Sequence, residues 1–551
     1  VTEPTDDPGR DGLLGASASM AAGTIVSRIT GMLRDIAIVA AIGLGVFADT
    51  YSVANTVPNI LYILIAGGAL NAVFVPQLVR AMKRDDDGGD EYAHRLLTAT
   101  AIILLAVTVV AVVAAPWIIG LYSTNSWSAA DESVAVMFAR FCLPQILFYG
   151  LFTMFSQVLN ARNVFAAPMF APIANNVVVI ATALLFIAVV GTNELTTSTV
   201  TDGQIALLGI GTTLGIIVQA AVVWFAMRRS GFRWRLRFGF RGYGLGKAGY
   251  LAGWTFVFVL TNQLAYVVIT RLATAANVLA ENNPDVVTAG FTSYNKAYLL
   301  FVLPHSVITV SLVTALLPRM SRAAAAGDLR RVGDDVGTGA RLSLAAMAPA
   351  AAALFVLGPP LAEILFGFGN APTDSARFIG TILAAFVLGL PAFTVFYVLL
   401  RGFYAVEDTR TPALINLGMT AVNVAAALGL YALAPDEWKV PALALGFSVS
   451  YLVTVPVMWT VLRRRLGALP TFAVVRTTTR VLIASVLTAV VMLVVALGLD
   501  RLLGQGRGAS LIEVVVAGAV GGATYLALAR AMRIAEVSEV VGTVTRRLRR
   551  A

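Results

Sequence analysis

Long uninterrupted apolar runs constrain this chain more than any other feature. A stretch of roughly 20 or more apolar residues is long enough to cross a bilayer as a helix. The sequence offers fourteen of them: residues 15–43, 48–82, 92–121, 131–160, 164–191, 203–228, 245–275, 286–318, 337–366, 376–402, 410–434, 439–463, 477–500 and 510–534. In lipid a segment must satisfy its own backbone hydrogen bonds, and runs of this length do so as helices. The prediction is an all-α polytopic membrane protein. Composition agrees, since 58% of the 551 residues are hydrophobic and only 13% are charged, against about a quarter charged in soluble domains. Several runs exceed thirty residues and contain proline, as at Pro58 and Pro304. Kinks or local unwinding are expected there, which lipid tolerates where backbone lines a cavity.

The basic residues set the orientation. Of the 40 Lys and Arg, 31 fall in one alternating set of loops and 4 in the other, and Arg28, Arg34, Arg140, Arg271 and Lys296 lie inside the runs. Cytoplasmic loops are the basic ones, so both termini are predicted to be cytoplasmic and the chain a multi-pass protein of the plasma membrane. The net charge of +10 is spread over short loops, whereas a nucleic-acid partner would need a basic face on a soluble domain. One cysteine, Cys142, forbids an internal disulfide. His94 and His305 are too few and too scattered for a metal or triad site. There is no G-x-x-x-x-G-K-[ST] run, so ATP is not the direct energy source. Residues 1–14 read as a disordered cytoplasmic leader without the features of a signal peptide. Residues 535–551 read as a basic juxtamembrane tail suited to anionic lipid headgroups.

The chain repeats itself weakly. FVPQLVRA at 74–81 matches LLPRMSRA at 316–323, with Pro76/Pro318 and Arg80/Arg322 offset by 242. Ala161/Ala405 and Pro168/Pro412 are offset by 244. The unit is six helices, which predicts parallel repeats about an axis along the membrane normal. Residues 15–228 would be the first lobe, and 229–463 the second lobe with its basic linker. Residues 464–534 form two further helices with few charges, suited to an apolar groove or a dimer surface.

Charge inside the runs is the functional signal. The segment SRITGMLRD at 27–35 places Arg28, Arg34 and Asp35 in the first span, where an unpaired charge costs from about 3 to more than 10 kcal/mol. Arg28 and Asp35 share one helical stripe with Arg34 to its side, and Gly31 between them permits close approach by a neighbour. Two arginines against one aspartate leave positive charge over, which fits a cationic pocket; the alternative is an internal salt bridge that pins helices together. Lys296, beside Tyr294 and Asn295, is the second-half counterpart, with snorkelling as its alternative. Asn55, Tyr62 and Asn71 in the second span are further candidates to line a cavity. Glu363 reads as interfacial, and Glu407–Asp408 as a solvated turn rather than a catalytic pair.

Taken in order, SRITGMLRD, FADTYSVANTVPN, AGGALNAVFVPQL, QVLNARNVFAAP, SYNKAYLLFVLP with LLPRMSR, and RGFYAVEDTRTP resemble the MurJ (MviN) lipid II flippases of the MOP exporter superfamily, over about residues 13–533. The resemblance implies two six-helix lobes related by a pseudo-twofold along the membrane normal, plus two C-terminal helices that hold a lipid tail. It implies a central cationic cavity lined by Arg28, Arg34 and Lys296, with Asp35 and Asp49 in gating or charge balance. The implied substrate is lipid II, an undecaprenyl-diphosphate-linked disaccharide-pentapeptide, moved from the cytoplasmic to the outer leaflet by alternating access. No covalent step is implied, and no cofactor beyond a coupling ion or the membrane potential. Guanidinium groups suit a diphosphate because they bind phosphate bidentately. One departure stands out: many members carry an Arg pair and a Glu in the second span, where this chain reads PNILYILIAGGA. The 36 Arg against 4 Lys resemble an actinobacterial branch, which implies a cytoplasmic pseudokinase-like domain and its regulators as partners beyond residue 551. Three other readings stay open. A MATE-like cation-coupled multidrug antiporter would use Asp35 as its ion site, although the seventh, eleventh and twelfth runs hold no Asp or Glu. The second is a flippase for another polyprenyl-linked glycan. The third is a membrane scaffold for wall synthesis, which leaves the intramembrane charges without a purpose.

Overall fold

A computed structural model describes residues 8–64, 89–162, 164–191, 195–238, 246–283, 286–287, 289–504 and 506–537. Asn71, the repeat segment 74–81 and the basic tail from 538 lie outside the described residues. Among the described residues there is no strand. The first helices are α1 (Pro8–Ile42), α2 (Val46–Tyr62), α3 (Asp90–Val113), α4 (Ala115–Tyr122), α5 (Ala129–Cys142), α6 (Gln145–Ala161), α7 (Ala166–Val190), α8 (Asp202–Arg229) and α9 (Gly246–Glu281). There follow α10 (Phe291–Pro304), α11 (Val310–Ala325), α12 (Leu329–Phe366), α13 (Thr373–Val387), α14 (Leu390–Ala405), α15 (Arg410–Leu433), α16 (Lys439–Leu466), α17 (Thr471–Leu503) and α18 (Arg507–Ala531).

Ten described helical stretches are long and apolar enough to cross a membrane, and two bent pairs raise this to twelve. These correspond to the third through fourteenth runs, so the expected fourteen becomes twelve among the described residues. The apolar stretch of α1 carries Arg28, Arg34 and Asp35, and α2 is described only as far as residue 64. At the other end of α1, residues 8–14 are helical rather than a disordered leader.

Both bent pairs have local explanations. A π-helical turn, His305–Thr309, follows Pro304 and separates α10 from α11, which meet at 48°. Pro304 was expected to disturb the run, and proline and π-turns are the usual causes of sharp kinks. Between α13 and α14 the chain bends by 51°. There the Gly389 N–H donates to Ser448 Oγ at 3.1 Å, and a Cβ on Gly389 would stand 2.7 Å from Ser448 Cα. Pro58, by contrast, is carried inside α2 without ending it.

The chain divides into two compact units, Val1–Leu260 and Thr261–Ala551, with the boundary inside α9. In the first unit α7 packs along α1 and α8, where Gly211 and Gly215 of α8 admit Thr182 and Asn175 of α7. Small residues let helix backbones approach where lipid provides no hydrophobic drive. Capping boxes start α5 at Ser128 with Asp131 and α8 at Thr201 with Gln204. The second unit is organised on α12, which packs on α13, α14, α17 and α18. Gly358 of α12 and Gly380 of α13 cross so closely that a Cβ on Gly380 would lie 2.1 Å from Pro359 N. The last two helices are therefore part of the second unit's packing.

Candidate functional site

In the first unit the charges of α1 meet a polar pair on α7. Asn175 and Asn176 interrupt an otherwise apolar helix, and Asn176 is buried against the face of α1 that carries Gly31. With no side chain at Gly31, Asn176 Nδ2 comes within 3.6 Å of where a Cβ would be. That amide donates to Thr30 Oγ1 at 3.0 Å and to the Ser27 carbonyl at 3.2 Å. Its Oδ1 accepts from Arg34 Nη1 at 3.2 Å. Arg34 Nη2 donates to Asp35 Oδ2, also at 3.2 Å. The Arg34 guanidinium is thus fixed from two sides, by an acid on its own helix and an amide on the next. Asp35 shares its helical stripe with Arg28, and its ion pair with the adjacent Arg34 runs beside that stripe. Arg28, nearly two turns earlier, is exposed.

Asp49 sits in the first turn of α2 and is fully buried, where the helix N-terminus favours negative charge. Asn55 and Tyr62, further along α2, are half-buried and already engaged. Asn55 Oδ1 accepts from Gln145 Nε2 at 3.2 Å, and the same amide donates to Thr213 Oγ1 at 3.1 Å. Tyr62 Oη and Thr153 Oγ1 are 2.6 Å apart, and its ring stacks on Tyr149 at 5.8 Å. These contacts tie α2 to α6 and α8 as interhelical polar glue.

In the second unit α10 carries Tyr294, Asn295 and Lys296. Lys296 is buried, 9% exposed. Asn295 Oδ1 accepts from Tyr266 Oη at 3.4 Å, and the Tyr294 ring lies 4.9 Å from that of Phe386. That pair belongs to an aromatic group extending through Phe301, Phe393, Phe447 and Tyr451. His305, in the π-turn, faces Thr394 Oγ1 at 3.3 Å.

Two further features belong to this unit. Glu363, read as interfacial, is 1% exposed, so protein and not solvent surrounds it. It accepts from Arg377 Nη1 at 2.6 Å and from Ser510 Oγ at 2.7 Å, which locks α12, α13 and α18 together. Arg507 at the start of α18 donates to the Gly367 carbonyl and lies over the Phe368 ring. The last two helices thus contribute polar contacts, contrary to their apolar appearance. The signal was a lone acid in the run LAEILF and an Arg fourteen residues past that acid, near the start of the next run. The second feature is an apolar cavity of about 390 Å³ bounded by α12, the α13–α14 bend and α17. Ala348, Ala352 and Ala489 leave the space, and Phe355, Leu388 and Val490 wall it.

Among the described residues no group of His, Cys, Asp or Glu could hold a metal ion. The arrangement offers instead an anion-binding chemistry on α1 and an apolar slot beside α17.

A family model described as "Lipid II flippase MurJ" matches residues 38–516. A probable lipid II flippase MurJ of Rhizobium meliloti (strain 1021) is 29% identical over 447 residues, covering 80% of each chain. The lipid II flippase MurJ of Burkholderia cenocepacia is 28% identical over 410 residues, 73% of this chain and 75% of its own. Among solved structures, a lipid II flippase MurJ in an inward closed conformation superposes with a TM-score of 0.70 at 19% identity, over 93% of this chain and 97% of that one. An inward-facing MATE multidrug transporter of the MOP superfamily gives 0.62 at 12% identity, over 82% and 98%. At those identities both structural likenesses speak to fold alone.

Proposed function

The chain belongs to the lipid II flippase MurJ family, and from that premise we propose that it carries lipid II across the plasma membrane, from the cytoplasmic to the outer leaflet. It is a multi-pass membrane protein. Family membership sets aside the multidrug antiporter reading, which the fold alone would have left standing. The single observation that carries the assignment to these residues is the fixed Arg34 guanidinium beside exposed Arg28 on an apolar helix. Such charges are retained in membranes for a charged ligand or a pathway, and a diphosphate matches the guanidinium fork.

In this reading Arg28 and Arg34 contact the diphosphate, and Asp35 limits the positive charge of the empty site. The same phosphate-directed role is assigned to Lys296 in its own unit, and Asp49 serves charge balance. The apolar cavity beside α17 takes part of the polyprenyl chain, whose CH₂-rich surface has no polar demand. The step is transport without a covalent intermediate, driven by a coupling ion or the membrane potential. The basic loops and both termini face the cytoplasm, as the charge bias implies.

The test is exchange of labelled lipid II between leaflets of liposomes holding the purified chain. Exchange well above protein-free liposomes is expected, and slower exchange of a lipid with the same tail and diphosphate but another glycan. Exchange of lipid II at the protein-free rate contradicts the reading. Equal rates for both lipids would make the chain a flippase for polyprenyl-linked glycans generally.

A further inference from the structure

The segment that leaves α8 has an unusual side-chain pattern. Residues 231–238 read GFRWRLRF and are neither helix nor paired strand. Basic and apolar residues alternate, Arg233, Arg235 and Arg237 against Phe232, Trp234, Leu236 and Phe238, a pattern that an extended backbone would sort onto opposite faces; Phe232 is buried and Trp234 half-buried, while Arg233 and Arg235 are exposed. The apolar face begins on protein. Phe232 is 1% exposed, with its ring 4.7 Å from His94 and under the Arg162 guanidinium. Trp234 lies edge-on to Phe155 and donates from Nε1 to Thr98 Oγ1 at 3.3 Å. Leu236 and Phe238 are 68% and 69% exposed.

Backbone contacts fix the direction of travel. The Arg235 N–H donates to His94 Nδ1 and the Arg237 N–H to Thr98 Oγ1, each at 3.2 Å. The segment therefore climbs one turn along α3, away from its start at Asp90. The charges of α3 end at Arg95, and residues 96–113 carry none; at 1.5 Å per residue that stretch is about 27 Å long, close to the roughly 30 Å of a hydrocarbon core. Thr98, about two turns along α3 from Asp90, therefore stands near the boundary between headgroups and acyl chains. The stripe of α3 holding His94 and Thr98 continues as Ile102 and Leu105, both exposed as lipid-facing residues are. Arg228 and Arg229 end α8 on the same side, and Arg228 covers the Trp224 ring. Among the described residues Arg233, Arg235 and Arg237 are paired with no acid.

We propose that residues 232–238 form an interfacial strap that seats Leu236 and Phe238 at the acyl boundary and binds anionic phospholipid headgroups through Arg233, Arg235 and Arg237. The partner follows from the chemistry. Three guanidiniums at the depth of lipid phosphates demand negative charge, and two large apolar side chains without protein cover demand acyl chains. Trp234 between them has the amphipathic ring that favours this layer.

The test uses the full chain in liposomes, with Phe238→Cys carrying an environment-sensitive fluorophore; the only native cysteine, Cys142, is buried. Phosphatidylglycerol or phosphatidylcholine brominated near the headgroup serves as quencher at equal mole fraction. The strap predicts quenching by both lipids, with about a fivefold preference for the anionic one, the worth of one arginine at a charged surface. Arg233→Gln, Arg235→Gln and Arg237→Gln together should abolish the preference and keep the quenching, with an unchanged melting temperature. Equal quenching by both lipids in the unsubstituted strap would overturn headgroup recognition. Quenching by aqueous iodide alone would place the strap in water and overturn it, and protection from all three quenchers would mean a protein surface covers it.

Discussion

At the scale of single residues, the contact that matters most for the site is the one a sequence reader cannot draw. Arg28, Arg34 and Asp35 were legible because charge in an apolar run is costly wherever it occurs. Asn176 was not, because an amide in a helix announces nothing until the facing helix is known. Its partners Ser27, Thr30 and Arg34 lie more than 140 positions away in sequence. The same holds for Glu363, whose burial depends on Arg377 and Ser510 arriving from two other helices. Replacing Asn176 with Ala removes three hydrogen bonds and leaves Arg34 tethered by Asp35 alone. The expected cost is about 0.6–2 kcal/mol of stability, the range for interhelical polar contacts in membranes. Lipid II affinity should fall by less than in Arg34→Ala, since the guanidinium remains. Thermal melting and a lipid II titration of both variants check this; a Asn176→Ala chain that loses as much affinity as Arg34→Ala would give the amide a direct ligand contact.

At the scale of elements, spans were legible to within a few residues from the apolar runs, and the disturbance at Pro304 was expected. The bend at Gly389 was not, because it depends on Ser448 of α16 filling the gap with a hydroxyl. Glycines in this chain look alike in sequence and differ sharply in place. A Cβ at Gly380 would stand 2.1 Å from Pro359 N and 2.2 Å from Gly358 C, both backbone atoms that cannot rotate away. At Gly418, on exposed α15, a Cβ would meet nothing within 4 Å. Gly380→Ala should therefore force α12 and α13 apart and cost about 1–3 kcal/mol. Gly418→Ala should be neutral or stabilise by up to about 1 kcal/mol, because alanine is the better helix former. Parallel thermal unfolding in one detergent separates them, and equal melting temperatures would contradict the close crossing.

At the scale of the whole molecule, the fold class and the membrane setting followed from hydropathy alone, because lipid leaves so few ways to satisfy a backbone. The polar economy did not follow from hydropathy. The last two helices carry few charges, yet Ser510 and Arg507 tie α18 to the core of the second unit, which also holds the slot walled by α17. An apolar slot and an arginine pair are the two chemistries that a polyprenyl diphosphate requires, and the account stands or falls on the arginines. Its most direct test is lipid II binding by purified full-length Arg28→Ala and Arg28→Lys, with thermal melting measured on the same samples. Arg28→Ala should lose about 2–5 kcal/mol of binding, the usual loss when one partner of a desolvated charged contact is truncated. Arg28→Lys should recover only part of it, because the charge is kept and the fork geometry is not. Both should melt as the parent does. Unchanged melting together with unchanged lipid II affinity in Arg28→Ala would contradict the substrate-binding role of α1.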